Sequence, residues 1–372
     1  MGMKVAILGA GSVALATACR LAAAGHDVHL WSAFADEREA LGSGVLTADG
    51  MLAGRLRITV CEEVGSSIAG APLVVIAAPA FGHETLMAAA APHLRSDQDV
   101  LIHPVTGLSS LLLSRMMASR RETPTIIDAS TSLFTARKTG PCSVRVLKVK
   151  DVIDLAAIPA SRGPRALARL AGIFGDRFRL EPNALAVSLN NHNPVYHVAP
   201  VLCNLSRAEK QENWIFWEGI TPGVARLVKL VDDERLRLVR RFGTTEIPVA
   251  DYFRQAHGAV GADLPEIFAS LAETLKGPVG PQTFDHRFVT EDVPFALVFY
   301  HALGQAVGIK MPVTWNLIEL TSALYGRDFA KEGHTLEKLG LAGLNAREIL
   351  QRTIDGFPAE RQTQEPAHDR AC

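Results

Sequence analysis

The run KVAILGAGSVALATACRLAAAGHDVHLW at residues 4–31 constrains the fold more than any other stretch of the chain. Lys4 to Leu8 is an almost unbroken apolar segment, the pattern of a strand buried on both faces. Gly9, Gly11 and Ala14 set a G-x-G-x-x-A spacing at its end, ahead of the alanine-rich helical stretch Val13 to Ala24 and a second strand, Asp27 to Trp31. Strand, glycine turn, helix and strand in that order make a βαβ unit, which commits the following chain to parallel sheet with crossover helices. Gly9 permits the tight bend, Gly11 lets a pyrophosphate approach the backbone, and Ala14 keeps the helix close to the sheet. Ser12 and Val13 open that helix, whose free N–H groups and positive dipole end face the phosphates. The expectation is a Rossmann-type site for a nicotinamide dinucleotide.

The end of the second strand carries the choice between NAD and NADP. An Asp or Glu there accepts the ribose hydroxyls of NAD, whereas this chain has Ser32, with Arg38 a short way downstream. The missing carboxylate and the nearby guanidinium favour NADP(H), while Asp36 and Glu37 close by keep NAD(H) open. Further strands are expected at Pro72 to Ala78, followed by Pro79 where such sheets meet the nicotinamide, at Asp99 to His103, and at Thr125 to Asp128. The runs Val144 to Val149 and Val152 to Ile158 are expected to extend the same sheet. Strands alternating with helical stretches give a doubly wound α/β domain, placed at residues 1–181.

From about Pro182 the pattern changes to helical period. Thr221 to Phe242 has Pro222 at a first helical position and Gly243 as its stop. Phe295 to Val307 and Val313 to Leu324 are further helical stretches. The expected fold is therefore α/β plus all-α, with a helical substrate and catalytic domain at residues 182–358. The polar run after Pro358, residues 359–372, reads as a flexible tail. A substrate cleft is expected between the two domains.

Composition narrows the function classes. A formal net charge of -1 lacks the basic surplus by which a nucleic-acid binder displaces counterions. The five cysteines are scattered and never form a CxxC pair, so neither a disulfide framework nor a cysteine zinc site is expected. No apolar run approaches the length of a membrane span, and the N-terminal residues lack the pattern of a secretory signal. The expected setting is cytoplasmic, with small molecules as partners. A homodimer is compatible with a helical second domain, and no surface stripe decides it.

Two segments of the helical half are more polar than their surroundings. SLNNHNPVYHVAP at residues 188–200 holds Asn190, Asn191, His192, Asn193 and His197, and HRFVTEDVP at residues 286–294 places Arg287 five residues before Asp292. A histidine suits proton transfer near neutral pH, and a carboxylate on its far nitrogen fixes the tautomer. An arginine can hold a substrate carboxylate by two parallel hydrogen bonds. Spacing alone does not pair His197 with Asp292. The His-containing run lacks cysteine or acidic ligands at metal-binding spacing, so no metal is expected. The aromatic run Gln211 to Trp217 is read equally well as an amino-acid pocket or as packing core.

The chain resembles the opine dehydrogenase family, the octopine and nopaline dehydrogenase group that also includes carboxyethyl-norvaline dehydrogenase. The resemblance spans most of the chain and rests on VAILGAGSVAL, NPVYH at residues 193–197, EGITP at 218–222, EDVPFALV from residue 291, and GRDFAKEGHTLEKLGL at 326–341. It implies NAD(P)H-dependent condensation of an amino acid with a 2-oxo acid such as pyruvate, through an imine, to a secondary-amine dicarboxylate. It also implies His197 as catalytic histidine, Asp292 as its carboxylate partner, Arg287 as the oxo-acid anchor and Asn193 as a residue near the substrate. Where many members have Pro after the histidine, this chain has Val198, with Pro200 two places on. A 2- or 3-hydroxyacid dehydrogenase of the same plan is an alternative, since fold does not fix substrate. A nicotinamide-sensing binding protein is another.

Overall fold

The computed structural model describes residues 2–275 and 277–358, so the segment read as a tail lies outside the described residues. The first strands and helices are β1 (Lys4–Leu8), α1 (Ser12–Ala23), β2 (Asp27–Trp31) and α2 (Ala35–Ala40). They are followed by β3 (Val45–Gly50), β4 (Gly54–Arg57), β5 (Thr59–Val60), α3 (Val64–Ile68), β6 (Leu73–Ile76), α4 (Ala80–Ala90) and β7 (Asp99–Ile102). Then come α5 (Ser109–Met116), β8 (Thr125–Ala129), β9 (Phe134–Gly140), β10 (Ser143–Val149), β11 (Ile153–Ile158), α6 (Gly163–Phe174) and β12 (Phe178–Leu180).

Eight strands form the main sheet in the order β12-β11-β8-β7-β6-β1-β2-β5, parallel except for the antiparallel pairing of β11 with β8. Beyond Lys4 every residue of β1 is buried, as are all of β6, β7 and β8, because layers cover both faces of the sheet. Chain order reverses at β1, whose neighbours are β2 on one side and β6 on the other. Ligands bind such sheets outside the carboxyl ends of the strands at that switch point, here next to Gly9 and Pro79.

One strand expectation is corrected. The Val144 to Val149 run does not extend the main sheet; it lies in β10, within a separate four-stranded sheet of order β4-β3-β10-β9. Val144 and Val146 are buried while Arg145 and Leu147 are exposed, so only one face of β10 is covered, by packing on α1. That alternation belongs to a sheet with one solvated face rather than to a doubly covered one. Residues Ile153–Ile158 do join the main sheet, as the antiparallel strand β11.

The second half is built from helices: α7 (Ala184–Leu189), α8 (Asn193–Cys203), α9 (Leu205–Glu209), α10 (Pro222–Phe242), α11 (Val249–His257) and α12 (Leu264–Leu275). These continue as α13 (Arg287–Thr290), α14 (Val298–Ala306), α15 (Pro312–Tyr325), α16 (Phe329–Glu332) and α17 (Ala346–Asp355). The long helix α10 starts at Pro222 and stops at Gly243, whose φ of 66° closes the helix in the left-handed region where a side chain is strained. Val224, Val228, Val231, Leu238 and Val239 bury one face of it. Inside that face Arg235 is fully buried and paired to Asp232 at 2.7 Å. Its guanidinium also donates to the carbonyls of Leu189 (2.7 Å) and Ile247 (2.7 Å), so one side chain ties α10 to the segments before α8 and α11. Helix α17 returns to pack on α7 and β11.

Candidate active site

The glycine turn has the shape a dinucleotide requires. Gly9 has φ 121°, and a Cβ there would lie 2.5 Å from the Ala77 carbonyl oxygen, so only glycine fits. A Cβ on Gly11 would meet nothing within 4 Å, which leaves open space over the N-terminus of α1. Gly11 is the N-cap of α1 and offers no side-chain cap, so the first N–H groups stay free for phosphate oxygens. Lys138, which the motif does not reveal, spans the turn from β9: its backbone N–H donates to Ser12 Oγ at 2.9 Å and its ammonium to the Ala10 carbonyl at 3.1 Å. Val13 and Ala14 follow on α1, with Ala14 fully buried against the sheet.

At the end of β2, Ser32 Oγ donates to the Glu37 carboxylate. Arg38 Nη1 donates to the Ser32 carbonyl at 2.8 Å, and its Nε is 3.4 Å from Glu62 Oε2. A guanidinium and a carboxylate therefore both adjoin residue 32. Pro79 caps the start of α4, between β6 and the cleft.

Across the cleft, His197 on α8 and Asp292 meet although 95 residues separate them: His197 Nδ1 lies 2.7 Å from Asp292 Oδ2. Both are buried. Burial disfavours charge on either group; it pushes the Asp292 carboxyl up to about 7 and, with the Arg287 charge, pushes the imidazole well below its ordinary value. With Nδ1–H donating to Asp292, the Nε2 lone pair is the atom free to move a proton. Phe288 stacks on the ring with centroids 3.6 Å apart, and Phe216 meets it edge-on at 6.1 Å, so the imidazole is fixed in plane and direction.

His197, Asp292, Arg287 and Asn193 line one small cavity with Thr106 and Ser130, whose volume is about 30 Å³. A space of that size admits a water-sized group next to His197. Arg287 begins α13 and its side chain is 68% exposed; its nearest acidic group, Glu291, is 3.8 Å away. Its planar fork is consequently available for a ligand. Asn193 opens α8 and its Oδ1 accepts from the Tyr196 hydroxyl at 3.0 Å.

The remaining polar residues of the 188–200 segment are positioning groups. Asn190 donates to the Thr245 carbonyl, His192 lies 2.8 Å from the Ile247 carbonyl and stacks on Tyr252, and Asn191 Oδ1 accepts from the backbone of Asn193. The aromatic run Gln211 to Trp217 supplies packing: Trp214, Phe216 and Trp217 are buried among Phe253, Phe268 and Phe288. Sequence reasoning missed Glu291. It is buried, and its Oε1 accepts from the backbone N–H of Ala80 at 2.9 Å, joining the helical half to the N-terminus of α4. Its only sequence signal is its place beside Asp292. Among the described residues no group of three or more His, Cys, Asp or Glu side chains is arranged to hold a metal ion.

Comparison with known proteins agrees with both halves of this geometry. Residues 180–325 match the NAD/NADP octopine/nopaline dehydrogenase alpha-helical domain family, and residues 5–159 match the ketopantoate reductase PanE/ApbA family. Over 92% of its length the chain is 32% identical to an opine dehydrogenase of Arthrobacter sp. (strain 1C), covering 97% of that protein. It is 26% identical to protein ocs of Agrobacterium tumefaciens (strain Ach5), over 95% of this chain and 99% of that one. The fold is shared with an octopine dehydrogenase solved with NADH and L-arginine (TM-score 0.77, 21% identity, 94% of this chain and 98% of that chain). It is also shared with an NADP+-bound yersinopine dehydrogenase (TM-score 0.73, 15% identity, 96% and 99%). The chain belongs to the opine dehydrogenase family and is an NAD(P)-dependent oxidoreductase. No helix among the described residues is long and apolar enough to cross a membrane.

Proposed function

We propose that this enzyme joins the amino group of an amino acid to a 2-oxo acid such as pyruvate and reduces the product to a secondary-amine dicarboxylate, with His197, Asp292 and Arg287 as its working side chains. The observation that carries the reading is the buried 2.7 Å bond between His197 and Asp292 in a cavity that also holds Arg287. Arg287 binds the oxo-acid carboxylate and Asn193 contacts the substrate from the start of α8. The His197 Nε2 accepts a proton from the incoming ammonium, which frees the nitrogen lone pair to attack the keto carbon. The imidazolium, stabilised by Asp292, returns that proton to the carbonyl oxygen. A second amine proton follows the same route, the oxygen departs as water, and an iminium remains. When bound, the reduced nicotinamide supplies the hydride that converts the iminium carbon to a CH–NH group.

Arg287 also times this chemistry. Its charge is one of the two causes that hold the His197 imidazole below its ordinary range. An oxo-acid carboxylate seated on the guanidinium offsets that charge and raises the proton affinity of Nε2 once both reactants are present.

For the cofactor, Gly9, Gly11, Ser12, Val13 and Ala14 would hold the pyrophosphate and Pro79 would border the nicotinamide. NADPH is favoured over NADH because residue 32 is serine and Arg38 is in reach of a 2′-phosphate. Glu37 narrows the margin, since its carboxylate must turn away from Ser32 to admit that phosphate. The test is NADPH and NADH oxidation with pyruvate, with and without arginine, lysine, norvaline or methionine. Oxidation that requires both amine and oxo acid supports the reading; oxidation with the oxo acid alone moves the chain to the hydroxyacid dehydrogenases.

A further inference from the structure

One cation of the cleft is left without a task by the chemistry above. Lys150 follows β10 directly, and its ammonium donates to Thr131 Oγ1 at 2.6 Å while its backbone N–H donates to the Leu133 carbonyl at 2.9 Å. The residue before Thr131 is Ser130, which lines the same cavity as His197 and Arg287. Among the described residues Thr131 is the only side chain to which the Lys150 ammonium bonds, and no carboxylate pairs with it. Burial, with the charges of Lys148 and Arg287, holds the ammonium down to about 8. The same lysine helps hold His103, adjacent to the cavity-lining Pro104, and His257, at the end of α11, below their usual range. Arg287 of the helical half has Glu291 and Asp292 beside it in the cavity, whereas Lys150, on the dinucleotide side and close enough to feel the Arg287 charge, has no carboxylate partner among the described residues. A buried ammonium bonded only to a hydroxyl is costly unless a ligand brings negative charge.

We propose that Lys150, with Thr131 beside it, forms a second anion subsite on the dinucleotide-domain wall that takes the α-carboxylate of the amino acid, while Arg287 takes that of the oxo acid. This rests on the condensation reading given above. Every product of that reaction contains two carboxylates flanking one amine, the skeleton of iminodiacetate. Two cations contributed by opposite walls match that skeleton, and a single arginine does not.

The test uses the full chain loaded with NADP+, titrated with iminodiacetate and separately with pyruvate. Lys150→Met should weaken iminodiacetate about 10- to 100-fold, the scale of a lost charge-assisted hydrogen bond, and change pyruvate affinity by about twofold or less. Arg287→Met should weaken both ligands, and Lys150→Arg should recover most of the iminodiacetate affinity. Unchanged iminodiacetate binding in Lys150→Met overturns the proposal, as does an equal loss for pyruvate, which would mark a general field and not a subsite. NADP+ affinity serves as the check on folding, with Lys150→Gln as a second variant; loss of NADP+ binding in both overturns the proposal because the lysine then belongs to the fold. A wild-type enzyme that condenses amine and pyruvate yet ignores iminodiacetate also overturns it. Absence of any condensation sinks the functional reading instead, and the titration still reports on Lys150.

Discussion

The dinucleotide half and the helical half carry different kinds of information. The first is built from a contiguous motif, in which Gly9, Gly11 and Ala14 act within a few residues of one another, and it matches a family of ketopantoate reductases as well as opine dehydrogenases. The second brings its chemistry together over long distances, as when His197 meets Asp292, and its match is to octopine and nopaline dehydrogenases. A cofactor half can be shared by many reactions because it asks only for phosphate and nicotinamide, whereas the substrate half must be specific.

The largest expected effect breaks the helical half alone. His197→Ala should lower kcat by about 10²- to 10⁴-fold, the scale of a lost acid-base group, with cofactor affinity unchanged by fluorescence titration. Near-normal turnover would remove the imidazole from the mechanism. Gly9→Ala makes the converse break: a Cβ 2.5 Å from the Ala77 carbonyl should weaken NADPH binding by about tenfold or more. Oxo-acid binding measured on the cofactor-saturated variant should remain.

Two buried carboxyls sharpen the contrast, because each is pushed up to about 7 by burial, Asp128 in the sheet and Asp292 in the cleft. Among the described residues Asp128 accepts only from the Ser110 hydroxyl. A folded-state pKa above the unfolded value means the native protein binds the extra proton between about 4 and 7, so stability falls as pH rises across that window and levels off above it. Asp128→Asn should flatten that slope in denaturation midpoints while leaving turnover near wild type. If the slope is unchanged, Asp128 does not titrate there. The smallest effect is expected at the ribose end: Glu37→Gln should raise the ratio of kcat/KM for NADPH over NADH by about threefold to tenfold, the scale of one exposed charge interaction. A fall in that ratio would reverse the role given to the carboxylate.

The same contrast explains what could be read from the chain alone. The units β1, α1 and β2 were legible because their periodicity and turn are local. The second sheet was not, because its β3 and β10 pair in parallel across a long separation and the alternation in β10 shows only which face is covered. Arg287 and Asp292 were singled out by residue type, but their meeting with His197 depended on family resemblance rather than spacing. Glu291 acts through a contact with Ala80, 211 residues away, which no sequence window contains, and Lys150 reaches Thr131 19 residues back only because the chain folds through β9 and β10 between them. Part of the C-terminal block GRDFAKEGHTLEKLGL works at the interface: His334 Nδ1 lies 3.0 Å from the Gly107 carbonyl, and Gly333 and Gly107 both sit where a Cβ would strike the chain after Asp292. That segment reads as an assembly device for the cleft.

The return of α17 to β11 has a practical consequence for anyone exchanging parts between relatives. A swap that joins one protein's first 181 residues to another's helices also swaps the final helix that covers the first sheet. A working chimera therefore needs two junctions, with α17 kept from the parent that supplies β11, and a single crossover leaves a foreign lid on that strand.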